Sequence, residues 1–171
     1  MSSEPLTSEA LLRRLHDRVS ILETLYCYCR HADQLDPAGM AALFTEDCVL
    51  TFHRDGPTLR GPAAVEARLA ERLAVTVSGS HHLSNEEVLF DGPDAATAHA
   101  YMYSWQRFQG WPGVCDVHRW GRYDVRLTRD DEGCWRISRM RLLSAGEYGS
   151  HRIGEHLGQP WPPGFAAETD Q

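Results

Sequence analysis

The segment YCRHADQLDPAGMAALFTEDCVL, Tyr28 to Leu50, decides the architecture. Its first residues close a long helical pattern in which Leu15, Val19, Leu22, Leu25, Cys29 and Ala32 recur three or four residues apart. That pattern predicts a helix from about Ser8 to Asp33, with Thr7 or Ser8 as its cap and Glu9 as a favourable charge in its first turn. Asp36-Pro37 then opens a second, short helix: the aspartate caps, and proline costs nothing at a position whose N–H has no helical partner. Met40, Leu43 and Phe44 supply its buried side, and Cys48 to His53 reads as a strand.

Downstream, Asp55-Gly56-Pro57 predicts a turn, and Gly61-Pro62 opens a third helix, Ala63 to Leu73, with Val65, Leu69 and Leu73 on one face. The pattern then changes to period two. Four strands are predicted at about 81–90, 96–108, 116–128 and 134–143, joined by Asp91–Asp94, Gln109–Gly113 and Arg129–Gly133. Short polar connections imply antiparallel neighbours. Helices followed by a run of long strands give an α+β fold, with a curved antiparallel sheet wrapped around the N-terminal helices as a cone. Residues 1–145 form the single domain. Residues 146–171, rich in Gly, Pro and His, read as an irregular tail whose Trp161 packs elsewhere.

Composition narrows the function. A length of 171 residues suits one core, and 42% hydrophobic with 24% charged residues is ordinary for a globular protein. A net charge of −7 with no basic cluster argues against nucleic acid as a partner. The chain contains no lysine, which excludes Schiff-base chemistry. Cys27, Cys29, Cys48, Cys115 and Cys134 form no C-x-x-C, and neither H-x-H nor H-E-x-x-H occurs, so neither a metal nor another cofactor is expected. The N-terminus has no signal-peptide pattern, and no apolar run approaches the roughly 18 residues of a membrane span. A cytoplasmic protein is the expectation.

Several side chains are suited to acid–base work. His81 and His82 are adjacent on a strand and must face opposite sides, so at most one enters the cone. Asp33 stands at a helix C-terminus, where the dipole disfavours anions; a partnership with a histidine, or with Arg30, would account for it. Tyr28 is either a core aromatic or a hydroxyl donor. Tyr101, Tyr103 and Trp105 share one side of their strand and Phe108 takes the other. His118 is a further candidate for the cavity, and Asn85 either meets substrate or satisfies backbone. Arg122, Asp124 and Arg126 alternate with Tyr123, Val125 and Leu127, a charged face against an apolar one.

The order Tyr28-x₄-Asp33-x₂-Asp36, Leu43-Phe-Thr-Glu-Asp47, Gly61-x-x-Ala64, His82-x-x-Asn85 and Gly133-x-Trp135-Arg-Ile137 resembles the SnoaL-like branch of the NTF2-like superfamily over Leu11 to Leu143. Within it the chain is most similar to dehydratases of the scytalone and bile-acid 7α type. That resemblance implies that His82 moves a proton, Asp33 orients it and Tyr28 polarises an oxygen; Asn85, Tyr103, Trp105 and His118 are the candidates for substrate contact read from the residues themselves. It departs from the scytalone enzymes at Trp105, where they have a second histidine. It departs from the bile-acid enzymes at Ser104 and Ser144, where they have a carboxylate and an arginine.

The implied function is a cofactor-independent lyase or cyclase acting on a small polycyclic or polyketide-like molecule of secondary metabolism, in a homodimer paired through the outer sheet face. The same family also contains non-catalytic binding or assembly subunits, such as small subunits of oxygenases. Epoxide hydrolysis would need an inward arginine between two carboxylates, and the residue pattern offers no convincing one.

Overall fold

The computed structural model describes residues 7–52, 57–110 and 113–149. The predicted turn at 55–57 falls mostly outside these residues, as do His53, Trp111 and the tail with Trp161. The elements are α1 (Ser8–Asp33), α2 (Pro37–Ala41), β1 (Phe44–Phe52), β2 (Thr58–Arg60), α3 (Pro62–Leu73), β3 (Thr76–Phe90), β4 (Ala95–Gly110), β5 (Gly113–Arg129) and β6 (Trp135–Tyr148). They form one six-stranded sheet in the order β2-β1-β6-β5-β4-β3. The four long strands pair antiparallel in sequence order, as their short connections require. The parallel pairing of β1 with β6 and the short strand β2 were not expected from the sequence. Strands of 14 to 17 residues must twist and coil, and the sheet curves around the helices as an open cone.

Strand β1 starts at Phe44, earlier than predicted, and Phe44 pairs with Ile137 before a register shift. Strand β6 continues to Tyr148, three residues beyond the domain boundary read from the sequence. Among the described residues, no helix is long and apolar enough to cross a membrane.

Helix α1 buries Ile21, Leu25, Tyr28, Cys29 and Ala32 against the sheet, but Leu11, Leu12, Leu15 and Val19 remain exposed. The apolar stripe seen in the sequence is therefore packed only along its C-terminal half. An ion pair anchors the helix nearer its start. Asp17 is buried and meets Arg129 at 2.7 Å, while Arg129 also reaches Asp94 at 3.0 Å and lies over the Trp135 ring. Burial alone would raise the Asp17 pKa, but the Arg129 hydrogen bond and charge outweigh it and hold the carboxyl below its usual range.

The end of α1 is shaped by a Schellman turn. The Asp36 N–H donates to the His31 carbonyl at 2.9 Å, and the Leu35 N–H donates to the Ala32 carbonyl at 3.2 Å. This places Leu35 at φ 58°, a conformation that costs a non-glycine residue on the order of 1 kcal/mol. Its side chain packs against the core, which offsets that cost. Asp36 caps α2 as predicted: its Oδ1 accepts from the Gly39 N–H at 2.9 Å, and its Oδ2 meets His31 Nδ1 at 2.9 Å. Asp33, the last residue of α1, is thus held on a tightly defined turn.

Candidate active site

Which face of the sheet each residue joins follows from period two and its interruptions. On β4, Ala96, Ala98, Ala100, Met102, Ser104, Gln106 and Phe108 are buried on the concave side. Strand β3 pairs Val88 with Ala98, so Val88 faces inward. Between Ser84 and Glu87 a bulge then inserts one extra residue: Ser84 lies opposite Tyr101 and Glu87 opposite His99. Asn85 takes φ 53° there and is exposed. Helix α1 pins the bulge, because Arg18 Nη2 donates to the Glu86 carbonyl at 3.2 Å and the Tyr26 hydroxyl donates to Glu86 Oε1 at 3.3 Å. Beyond the bulge the parity is reversed. Leu83 faces Met102, and His81 faces Ser104, on the concave side.

His81, and not His82, therefore meets Asp33. The carboxylate holds its neighbour twice: Oδ2 accepts from the His81 backbone N–H at 3.0 Å, and Oδ1 pairs with His81 Nδ1 at 2.6 Å. An ionised carboxylate only accepts, so in this pairing Nδ1 donates, and in the neutral ring Nε2 keeps its lone pair. The His81 side chain is 10% exposed and Asp33 30%, shielded but reachable. Gly79, two residues earlier on the same face, leaves room beside Asp33: a Cβ there would sit 3.6 Å from its Oδ1.

Two buried phenols, Tyr28 and Tyr123, pack against each other, and Tyr123 is within electrostatic range of Asp33. Tyr28 packs edge-on against Phe44 and Tyr123, with ring centroids 6.0 Å apart in each case. Burial raises both phenol pKa values well above the usual range, so both stay protonated and can act only as neutral donors or acceptors. Burial also pushes the Cys29 thiol up to about 12, which rules it out as a thiolate nucleophile at neutral pH. Among the described residues the Tyr28 hydroxyl makes no hydrogen bond to Asp33 or His81. Tyr123 feels the charges of both Asp33 and Arg119.

Arg119 was missed by the sequence reading. It lies opposite Ser104 in register and shares parity with Val117, Gly121, Tyr123, Val125 and Leu127. Glu147 Oε2 accepts from its Nε at 2.9 Å and also from its Nη2. His81, Ser104, Arg119 and Glu147 thus form one row across β3, β4, β5 and β6. Extending the Tyr123-Val125-Leu127 alternation backwards would have found the arginine. Gly121 is required beside it, because a Cβ there would come 2.1 Å from the Leu143 carbonyl oxygen where β5 and β6 shift register.

The remaining expected site residues face the other way. His82 bonds Ser80 Oγ at 2.9 Å and stacks obliquely on Tyr103. The Tyr103 hydroxyl meets His118 Nδ1 at 2.7 Å, and Trp105 lies under the Arg107 guanidinium. All four belong to the convex face, as the alternation with buried Met102, Ser104 and Gln106 demands. Asn85 forms the bulge. Of the expected residues, Asp33 pairs with a histidine, though with His81, and Tyr28 is buried against Phe44 and Tyr123. The described residues include one group of possible metal ligands, Asp130, Glu132 and Cys134 on the β5–β6 turn. Asp130 already accepts from the Glu132 and Cys134 N–H groups and from Arg136.

An open cone of curved antiparallel sheet over N-terminal helices is the architecture of the NTF2-like class. The SnoaL-like domain family matches residues 13–141, and the chain belongs to that family. No curated protein matches the sequence at a significant level. Among solved structures, a provisional scytalone dehydratase from Novosphingobium aromaticivorans DSM 12444 is 23% identical over 86% of this chain and 97% of its own, with a TM-score of 0.75. An NTF2-like protein with a cystatin-like fold from Novosphingobium aromaticivorans is 26% identical over 84% and 92%, with a TM-score of 0.66. The hexachlorocyclohexane dehydrochlorinase LinA-type3 from Novosphingobium barchaimii LL02 is 18% identical over 87% and 99%, with a TM-score of 0.71. These likenesses are likenesses of fold.

Proposed function

We propose that the protein is a cofactor-independent lyase of the dehydratase type, with His81 as general base and acid and Asp33 as the group that orients it. The observation that carries this reading is the double grip of Asp33 on His81, which fixes the ring and leaves Nε2 as the basic nitrogen. His81 Nε2 takes a proton from the carbon next to a substrate carbonyl. The electron pair of that C–H bond becomes an enolate, whose oxygen is stabilised by a protonated phenol, Tyr28 or Tyr123. The enolate re-forms the carbonyl as a C–C double bond forms and the β C–O bond breaks. The imidazolium returns its proton to the departing oxygen, and water leaves. Asp33 stabilises the transient imidazolium.

Small polycyclic or polyketide-like β-hydroxy ketones suit this chemistry. Aldol-type cyclisation shares the enolate and is a branch of the same reading. A homodimer through the convex face, where Tyr103 and Tyr148 are exposed, belongs to the same proposal. The structural neighbours named as a dehydratase and a dehydrochlorinase give this reading indirect support, since both names describe eliminations.

The test is a set of ring-fused β-hydroxy ketones, followed by the absorbance of the conjugated enone. Wild-type protein is expected to form enone from at least one, and His81→Ala to lose about 10²–10⁴ of that rate. An active wild type whose His81→Ala variant, still folded, keeps its turnover contradicts the proposal.

A further inference from the structure

We propose that Arg119 and Glu147 form a second recognition element on the concave face, one that takes the far end of the ligand and selects a neutral oxygenated group over a carboxylate. The proposal rests on the concave face being the site of chemistry, but not on what His81 does there.

Position comes first. His81 and Arg119 belong to one cross-strand row with buried Ser104 between them. At about 4.8 Å per strand, their backbones stand roughly 10 Å apart, the length of two fused rings. A molecule with its reacting carbon at His81 therefore places its distal substituent at Arg119. The Arg119 and Glu147 side chains are only 16% and 19% exposed, so their polar groups are sheltered.

Charge comes second. An inward arginine alone would recruit an anion. Here Glu147 occupies the guanidinium through both Nε and Nη2, which meets its charge. Asp33 adds another carboxylate to the same face. A ligand carboxylate would have to displace Glu147 and face its charge as well, a like-charge cost that a buried setting does not screen. A phenol or alcohol fits the existing pair instead, since its oxygen accepts from the guanidinium while its O–H donates to the carboxylate.

The experiment compares 2-naphthol with 2-naphthoate, which share a ring system and differ in charge at neutral pH, by calorimetric titration. Wild-type protein is expected to bind 2-naphthol at least about tenfold more tightly. Glu147→Gln removes the opposing carboxylate and should shrink that ratio about tenfold or reverse it. In case that variant folds poorly, Arg119→Met combined with Glu147→Leu replaces the pair by apolar groups and should abolish the advantage of 2-naphthol over naphthalene. His82→Ala, on the convex face, should leave the naphthol-to-naphthoate ratio unchanged, and because the readout is binding and not turnover, failure of the acid–base reading leaves this result standing. A wild type that prefers 2-naphthoate, one that binds neither probe at millimolar concentration, or an unchanged ratio in Glu147→Gln overturns the proposal.

Discussion

His81 and His82 are neighbours in sequence, yet the protein treats them as different residues. One is turned to the concave face and held at two points by a carboxylate from α1. The other is turned outward, bonded to a serine hydroxyl and stacked on Tyr103 beside His118. A strand offers an imidazole both faces at no cost. The choice was made four residues from His81, by the bulge at Asn85 and the two α1 side chains that hold Glu86. The lesson is that a site on a sheet is addressed by parity, and parity is set by irregularities.

The strongest way to break this comparison is to shift the strand by one residue. Inserting one residue between Leu83 and Ser84 should move His81 from opposite Ser104 to opposite Trp105, turn it outward and cost turnover as much as His81→Ala, about 10²–10⁴. A rate assay paired with thermal unfolding checks it: the loss should appear in protein that remains folded.

Next in size is the anchor of α1. Asp17→Asn leaves Arg129 without its buried partner and should destabilise the fold by roughly 3 kcal/mol in urea unfolding. Because the folded-state pKa of Asp17 lies below its ordinary 3.8, the ion pair contributes fully above that value and is lost as pH falls through the lower one. The wild type should therefore lose more stability than the variant on going from pH 5 to pH 2.

A smaller effect distinguishes the residues within the concave face. Tyr28→Phe removes a hydroxyl and little packing, and should lower turnover by about tenfold with an unchanged fold. Burial keeps this phenol protonated, so the rate should show no alkaline decline from Tyr28 up to pH 10. The smallest change belongs to the convex face. His82→Ala should stay within about twofold of wild-type turnover and about 0.5 kcal/mol of its stability.

Much of this was legible in the residues. The caps at Thr7 and Asp36, the third helix and the antiparallel order of four strands follow from local chemistry, and the structure has each of them. The special position of Asp33 was legible too, since a carboxylate at a helix C-terminus requires a partner. Its partner was not. Asn85 in a left-handed conformation leaves no mark on a hydrophobicity pattern, and without it the count along β3 favours the wrong histidine. Tyr103, Trp105 and His118 misled for a related reason: aromatic residues suit both a pocket wall and the exposed face of a sheet. Arg119 was hidden because a charge on an apolar parity reads as a break in the strand until its partner, Glu147, is found on a strand that continued further than expected. The parallel pairing of β1 with β6 depends on closing the chain across some 90 residues, which no local signal reports.

The central claim is that Asp33 fixes the His81 ring with its proton on Nδ1 and its lone pair on Nε2. Nitrogen-15 NMR of histidine-labelled protein, comparing wild type with Asp33→Asn, reads this without any substrate. The account predicts an Nδ1–H tautomer at His81 in the wild type, lost or mixed in the variant, with His82 unchanged in both. A His81 ring that is predominantly Nε2–H in the wild type, or that is indifferent to Asp33→Asn, would contradict it.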